Sequence, residues 1–339
     1  MNLTAQRLVN LFQSFETQKV MVIGDVMLDS YIWGHVDRIS PEAPVPVVLV
    51  EKREDRLGGA ANVGLNLKAL GAETIMCSVV GKDANGEHLR RLMQNAGLND
   101  AGLIESQHRH TTTKFRILGN NTQMLRVDDE TIRMLDIDVF DLLCKRIESL
   151  LDTNAINVIV FQDYDKGVIS PALIDFVVEQ ANRRNIPITV DPKKLNFQAY
   201  HHITLMKPNL LELKEGLYLD RLPDDEERLR QAADQLIDEQ NASIVLSTLS
   251  EKGVFVCWKE KGEKKSKLIP AHFRNIADVS GAGDTVISVA SLCLANGLAP
   301  EETAALSNLA GGQVCEQVGV VPIDKDQLLR EALRLLITE

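Results

Sequence analysis

Positive charge is scarce in this chain: 37 lysines and arginines stand against 48 aspartates and glutamates, a net charge of −11 over 339 residues. A surface of that sign repels a nucleic-acid backbone and an anionic bilayer, so neither nucleic acid nor membrane is expected as a general partner. A phosphate ligand would need a local basic pocket. Long apolar runs are also missing. None reaches the ~18 uninterrupted apolar residues of a membrane span, and residues 1–12 read as an amphipathic helix start without the apolar core of a secretory signal. A cytoplasmic address is expected. The cysteines (Cys77, Cys144, Cys257, Cys293, Cys315) are odd in number, lack C-x-x-C spacing and mostly lie in apolar runs. Buried free thiols therefore fit better than disulfides or a zinc site. There is no internal repeat, low-complexity tract or serine-rich linker, and 45% hydrophobic residues can fill a sizeable core. One globular domain over residues 1–339 is expected.

The patterning that is present is that of an α/β protein. Residues 19–25 form a short apolar run closed by glycine, the form of a buried strand. Strands at 73–80, 158–162 and 188–190 alternate with helices at about 86–96 and 171–184, which argues a doubly wound, mostly parallel sheet with helices on both faces. Residues 31–50 are rich in β-branched and aromatic side chains, yet Pro41, Pro44 and Pro46 keep them out of a central parallel sheet. Residues 111–127, with Gly119-Asn120-Asn121 at their middle, read as a hairpin. Together these two segments predict a small separate β-sheet.

Chemistry concentrates at Asp278-Val-Ser-Gly-Ala-Gly-Asp-Thr285. Gly281, Ala282 and Gly283 let successive N–H groups approach an anion, and the small apolar run that follows suits a buried helix whose N-terminus attracts negative charge. Asp284 in that place is expected to stay ionised and to accept a proton from a substrate hydroxyl attacking phosphorus. A simple helix N-cap is the competing reading. Asp25 and Asp29 follow the first strand, where open α/β sheets bind ligands, or are turn and cap residues. Gly58 and Gly59 allow close backbone approach to a ligand, and Asn62 offers both donor and acceptor to a hydroxylated one; the alternative is a helix start packed closely through small residues. Strand ends supply Asp163, Asp165 and Lys166, then Asp191 and Lys193, then Lys207, Asn209 and Glu212. The lysines read equally as solvated charges, and Asn209 with Glu212 as a capping box.

The 278–285 segment resembles the C-terminal signature of the ribokinase-like (PfkB) carbohydrate kinases, and Gly58-Gly-Ala-Ala-Asn62 resembles their N-terminal sugar-binding signature. Two such signatures in the expected order are far less probable by chance than either alone. The resemblance covers residues 19–335 and implies ATP and Mg²⁺ as cofactors. It makes Asp284 the general base, the Gly281–Gly283 backbone an anion hole, and Asp29 a ligand of sugar hydroxyls. Asn209 and Glu212 would hold Mg²⁺ through water, as a hard cation that keeps most of its waters prefers. The nucleotide loop falls on Ser247, Thr248, Ser250 and Gly253, with a departure at Ser250, where many members carry glycine. Asn308 falls on the helix beside the adenine. The small sheet becomes a lid over the sugar that often pairs two subunits, implying a homodimer. The segment Arg38-Ile-Ser-Pro-Glu-Ala-Pro-Val-Pro46, with Gly24–Asp29 and Asp163–Gly167, resembles bacterial heptose-7-phosphate kinases of lipopolysaccharide precursor synthesis. That implies a sugar phosphate substrate, D-glycero-β-D-manno-heptose 7-phosphate, whose phosphate is expected at Lys114 and Arg116, one face of a lid strand. No nucleotidyltransferase-like segment is recognised, so adenylyl transfer is expected from another protein. A kinase of ketohexose phosphates or nucleosides, or a silent sugar-binding protein, are the alternatives.

Overall fold

The computed structural model describes residues 3–120 and 122–337. The chain opens with α1 (Ala5–Ser14), capped by the Thr4 hydroxyl, which accepts from the Arg7 N–H. Strand β1 (Lys19–Gly24) follows and passes almost at once into β2 (Val26–Ile39) and β3 (Pro46–Gly59). Then come α2 (Ala60–Ala69), β4 (Glu73–Gly81), α3 (Ala84–Asn95), β5 (Asn99–Ser106), β6 (Thr113–Gly119), β7 (Thr122–Asp129) and α4 (Ile137–Thr153). The second half runs through β8 (Val158–Gln162), α5 (Pro171–Arg183), β9 (Ile188–Asp191), β10 (Leu205–Met206), α6 (Leu210–Gly216) and α7 (Glu226–Gln240). It continues with β11 (Ile244–Thr248), β12 (Val254–Glu260), β13 (Glu263–Ile269), α8 (Ala282–Ala295), α9 (Pro300–Val314) and α10 (Lys325–Leu335).

Among the described residues the strands form two sheets. The large one has the order β13-β12-β11-β10-β9-β8-β1-β4-β5, parallel from β11 to β5 and antiparallel at the β12 and β13 edge. Side chains alternate across it, so β1 sends Val20 and Val22 into one core and Met21 and Ile23 into another. The first core is closed by α1, α2, α3, α8, α9 and α10, the second by α4, α5, α6 and α7. Burial on both faces explains the unbroken apolar runs. From β1 the chain moves outward to β4 and β5 on one side and to β8–β11 on the other, so the crevice between the carboxyl ends of β1 and β8 is the topological switch point.

The small sheet has the order β3-β2-β6-β7 and stands on the carboxyl end of β1. Its strands reach further than the sequence pattern suggested: β2 begins at Val26 and β3 ends at Gly59, so Asp29 lies within a strand of this sheet. Register pairs Asp29 with both Arg56 and Lys114, and Tyr31 with Arg116, which puts these five side chains on one face. Elsewhere the sheet exposes Leu49 (61%), Leu125 (54%), Val127 (44%) and Met124 (43%), more apolar surface than a solvent-facing lid requires. No helix of the described residues is long and apolar enough to cross a membrane.

Candidate active site

The residue at the centre of the crevice is Asp284, in the first turn of α8. The turn before it needs Gly281, whose φ of +83° makes it a left-handed N-cap. Asp278 fixes this turn by accepting from the Ser280 N–H (3.0 Å) and, through its other oxygen, from the Gly319 N–H (3.0 Å). Asp284 is 6% exposed, and three side chains donate to its carboxylate. Asn62 Nδ2 reaches Oδ2 at 2.6 Å, while Gln162 Nε2 (3.1 Å) and the Tyr164 hydroxyl (2.9 Å) both reach Oδ1. The Gln162 amide nitrogen also donates to Asp191 (3.1 Å), and Asp191 is ion-paired at 3.0 Å with Lys207, itself 3% exposed. Lys207 Nζ lies 3.4 Å from where a Cβ on Gly283 would stand, placing a cation beside the start of the helix.

The helix terminus is expected to keep Asp284 ionised, and at pH 7 it is mostly so, but its titration moves towards neutrality. Burial, with Asp191 adding to it, pushes its carboxyl up to about 6, against the opposing pull of the Asn62 and Tyr164 hydrogen bonds and of Lys207. Desolvation of the whole side chain outweighs the partial charge of one helix end. Asp25 is likewise pushed up to about 6, by burial and by Asp163. It accepts from the backbone N–H groups of Tyr164 (3.0 Å), Lys166 (3.2 Å) and Val168 (3.1 Å), so it anchors the loop after β8.

On the lid side, Gly58 lets the Asp29 carboxylate approach, since a Cβ there would stand 2.3 Å from Asp29 Oδ2. Asp29 is ion-paired with Arg116, and the Tyr31 ring faces Arg56 (4.9 Å) as well as Arg116 (5.2 Å). Lys114 faces the Tyr164 ring at 5.5 Å and makes no ion pair among the described residues; burial, with Lys166 and Arg116 nearby, holds its ammonium below its usual range. The other cations are matched: Lys166 with Glu130 (2.8 Å), Lys193 with Glu212 and Lys194 with Glu215 (3.8 Å).

On the opposite side of Gly283 lies a cavity of about 740 Å³. Thr248, Ser250, Gly253 and Asn308 line it with Gly283, along with the 271–276 segment and Val286. Two residues expected at the nucleotide are not among those lining this cavity. Ser247 is 0% exposed within β11 and does not reach the cavity, because strand alternation turns it inward. Asn209 is not among the lining residues either: it N-caps α6, with its backbone bridged to Thr248, which is. Ser250 has φ +54°, the conformation that glycine takes most easily, so the departure from glycine leaves the backbone path in place.

Asn209 and Glu212 form a complete capping box: Asn209 Oδ1 accepts from the Glu212 N–H, and Glu212 Oε2 from the Asn209 N–H, each at 2.9 Å. The other Glu212 oxygen accepts from Lys193. A divalent ion coordinated directly would have to displace Lys193, whereas the remaining oxygen lone pairs suit an ion held through its water shell. Asn62, expected to meet a hydroxylated ligand, has its amide nitrogen on Asp284. Sequence reasoning missed Gln162 and Tyr164 as neighbours of the base, and placed Lys207 only among the polar groups of the strand-end rim. The available signal was position alone, since Gln162 ends β8, Tyr164 lies two residues beyond it and Lys207 directly follows β10.

Comparison with known proteins gives the family and the fold. The family model described as "pfkB family carbohydrate kinase" matches residues 17–326. A protein named "Bifunctional protein HldE" from Methylobacillus flagellatus is 40% identical over 312 residues, 92% of this chain and 62% of its own length. Another of that name from Koribacter versatilis is 38% identical over 315 residues, with the same two coverages. The chain thus spans 62% of the length of these relatives. Among solved structures, phosphofructokinase-2 from Escherichia coli in complex with potassium superposes with a TM-score of 0.78 at 20% identity, over 94% of this chain and 99% of that one. Ribokinase from Arabidopsis thaliana complexed with ribose and ATP gives 0.69 at 16% identity, over 92% and 99%. The ribokinase-like fold is therefore shared, and the chain belongs to the pfkB family of carbohydrate kinases.

Proposed function

We propose that this sugar kinase uses ATP to phosphorylate the anomeric hydroxyl of D-glycero-β-D-manno-heptose 7-phosphate, giving the 1,7-bisphosphate. The observation that carries the reading is the place of Asp284, buried at a helix N-terminus between a nucleotide-sized cavity and a lid face that presents cations. ATP lies in the cavity with its γ-phosphate at Gly281–Gly283, and the sugar lies under the lid with hydroxyls on Asp29. Asp284 takes the proton of the attacking hydroxyl. The oxygen then displaces ADP in line, while the helix-terminal N–H groups and Lys207 meet the charge on the transferring group. Mg²⁺, held through water by Asn209 and Glu212, would neutralise phosphate charge. The substrate's own phosphate falls to Lys114 and Arg116, because Lys114 is a half-buried ammonium that forms no close ion pair among the described residues.

The heptose assignment rests on the resemblance of Arg38–Pro46 and on relatives named HldE. The test is ADP release from ATP with a panel of sugars that includes this heptose phosphate, its unphosphorylated heptose and fructose 6-phosphate. The reading requires the heptose phosphate to give the highest kcat/KM. A higher value for fructose 6-phosphate would overturn it.

A further inference from the structure

A carboxylate offers about four lone-pair sites, and at Asp284 three are occupied in an uneven way. Oδ1 accepts two hydrogen bonds, from Gln162 and Tyr164, whereas Oδ2 accepts one, from Asn62. Oδ1 is saturated, and only Oδ2 has a site left for an incoming proton. Tyr164 is held for this task at both ends. Its backbone N–H donates to the buried carboxylate of Asp25 (3.0 Å), and its ring is faced by Lys114 Nζ from the lid (5.5 Å) and by Lys193 Nζ from the loop after β9 (5.8 Å). The hydroxyl itself is buried with the carboxylate as its partner, and burial raises the phenol well above its ordinary range, so it stays a donor at any working pH.

We propose that Tyr164 is a positioning residue for the transfer step: its hydroxyl closes Oδ1 of Asp284 and thereby turns Oδ2 to the acceptor hydroxyl. The proposal rests on Asp284 being the base. Tyr164 is the only one of the three donors that also touches a lid lysine, so it links the lid to the base. The charged groups facing Asp284 are Asp191 at the end of β9, Lys207 after β10 and, further off, Lys193. Loss of a hydrogen bond that stabilises the ionised form makes the carboxylate easier to protonate.

The test is the pH profile of kcat/KM for the wild type, for Tyr164→Phe and for protein carrying 3-fluorotyrosine at position 164. Tyr164→Phe should move the acid limb up by about one pH unit and lower turnover on the plateau about tenfold, with ATP affinity unchanged. Fluorination keeps the ring volume and strengthens the donor, so the limb should move down instead, and this form still decides the matter if the phenylalanine variant does not fold. A purely structural role would lower the rate equally at all pH values. An acid limb that stays in place in both proteins overturns the proposal. Asp284→Asn, run beside them, separates the two ideas: retained turnover there means that the base is misassigned, whereas lost turnover with unmoved limbs removes only the role of Tyr164.

Discussion

Replacing Asp284 by asparagine keeps the side-chain shape and removes the ability to take a proton. The wild-type carboxyl titrates at about 6 against an ordinary value of 3.8, because it is buried and faces Asp191. About nine-tenths of the molecules therefore carry an ionised base at pH 7 and about one-tenth at pH 5, and kcat/KM should fall about tenfold per pH unit below that point. The variant should lose at least ~10²-fold in turnover at pH 8, the lower end for removal of a general base, and its residual rate should lack that acid limb. Stability carries the same signature. A folded-state value raised above the unfolded one contributes stability that is complete below pH 3.8 and is lost as pH rises through about 6. Two pH units correspond to about 3 kcal/mol, so chemical denaturation of the variant should depend less on pH across that window. Coupled ADP release from pH 5 to 9, with calorimetry to show that ATP still binds, measures the kinetic part. Near-normal turnover in Asp284→Asn would refute the assignment and make Asp191 the next candidate, and a wild-type acid limb below pH 5 would refute the effect of burial.

The remaining predictions concern the cations and the lid. Arg116→Ala and Lys114→Met should each raise KM for the sugar phosphate about tenfold or more while leaving KM for ATP alone; equal effects on both substrates would move the phosphate site to Lys166, Lys193 and Lys194. Lys207→Met leaves Asp191 as a buried charge without its 3.0 Å partner, so urea unfolding should show a loss of about 3–5 kcal/mol, and a loss under ~1 kcal/mol would mean that the pair is not desolvated. The apolar lid residues Leu49, Met124, Leu125 and Val127 are expected to pair two subunits, giving a dimer by light scattering that Leu49→Asp weakens; a monomer at micromolar concentration would remove the idea.

What the sequence determined follows from interactions that are short in range or periodic. Unbroken apolar runs such as residues 158–161 must be buried on both faces, which dictates strands of a parallel sheet covered by helices. The prolines at 41, 44 and 46 kept the second sheet separate, and Gly281 required the left-handed turn on which α8 begins. The tertiary structure decided everything that depends on charge and burial between distant residues. Asn62 and Asp284 are 222 positions apart and meet at 2.6 Å, and Arg116 pairs with Asp29 across 87 positions. The titration of Asp284 is set first by the exclusion of water and then by Asn62, Asp191, Tyr164 and Lys207, none of which is visible in the segment that contains it. Electrostatic energy depends on separation in space and on the surrounding dielectric, and a linear sequence specifies neither until the chain has folded.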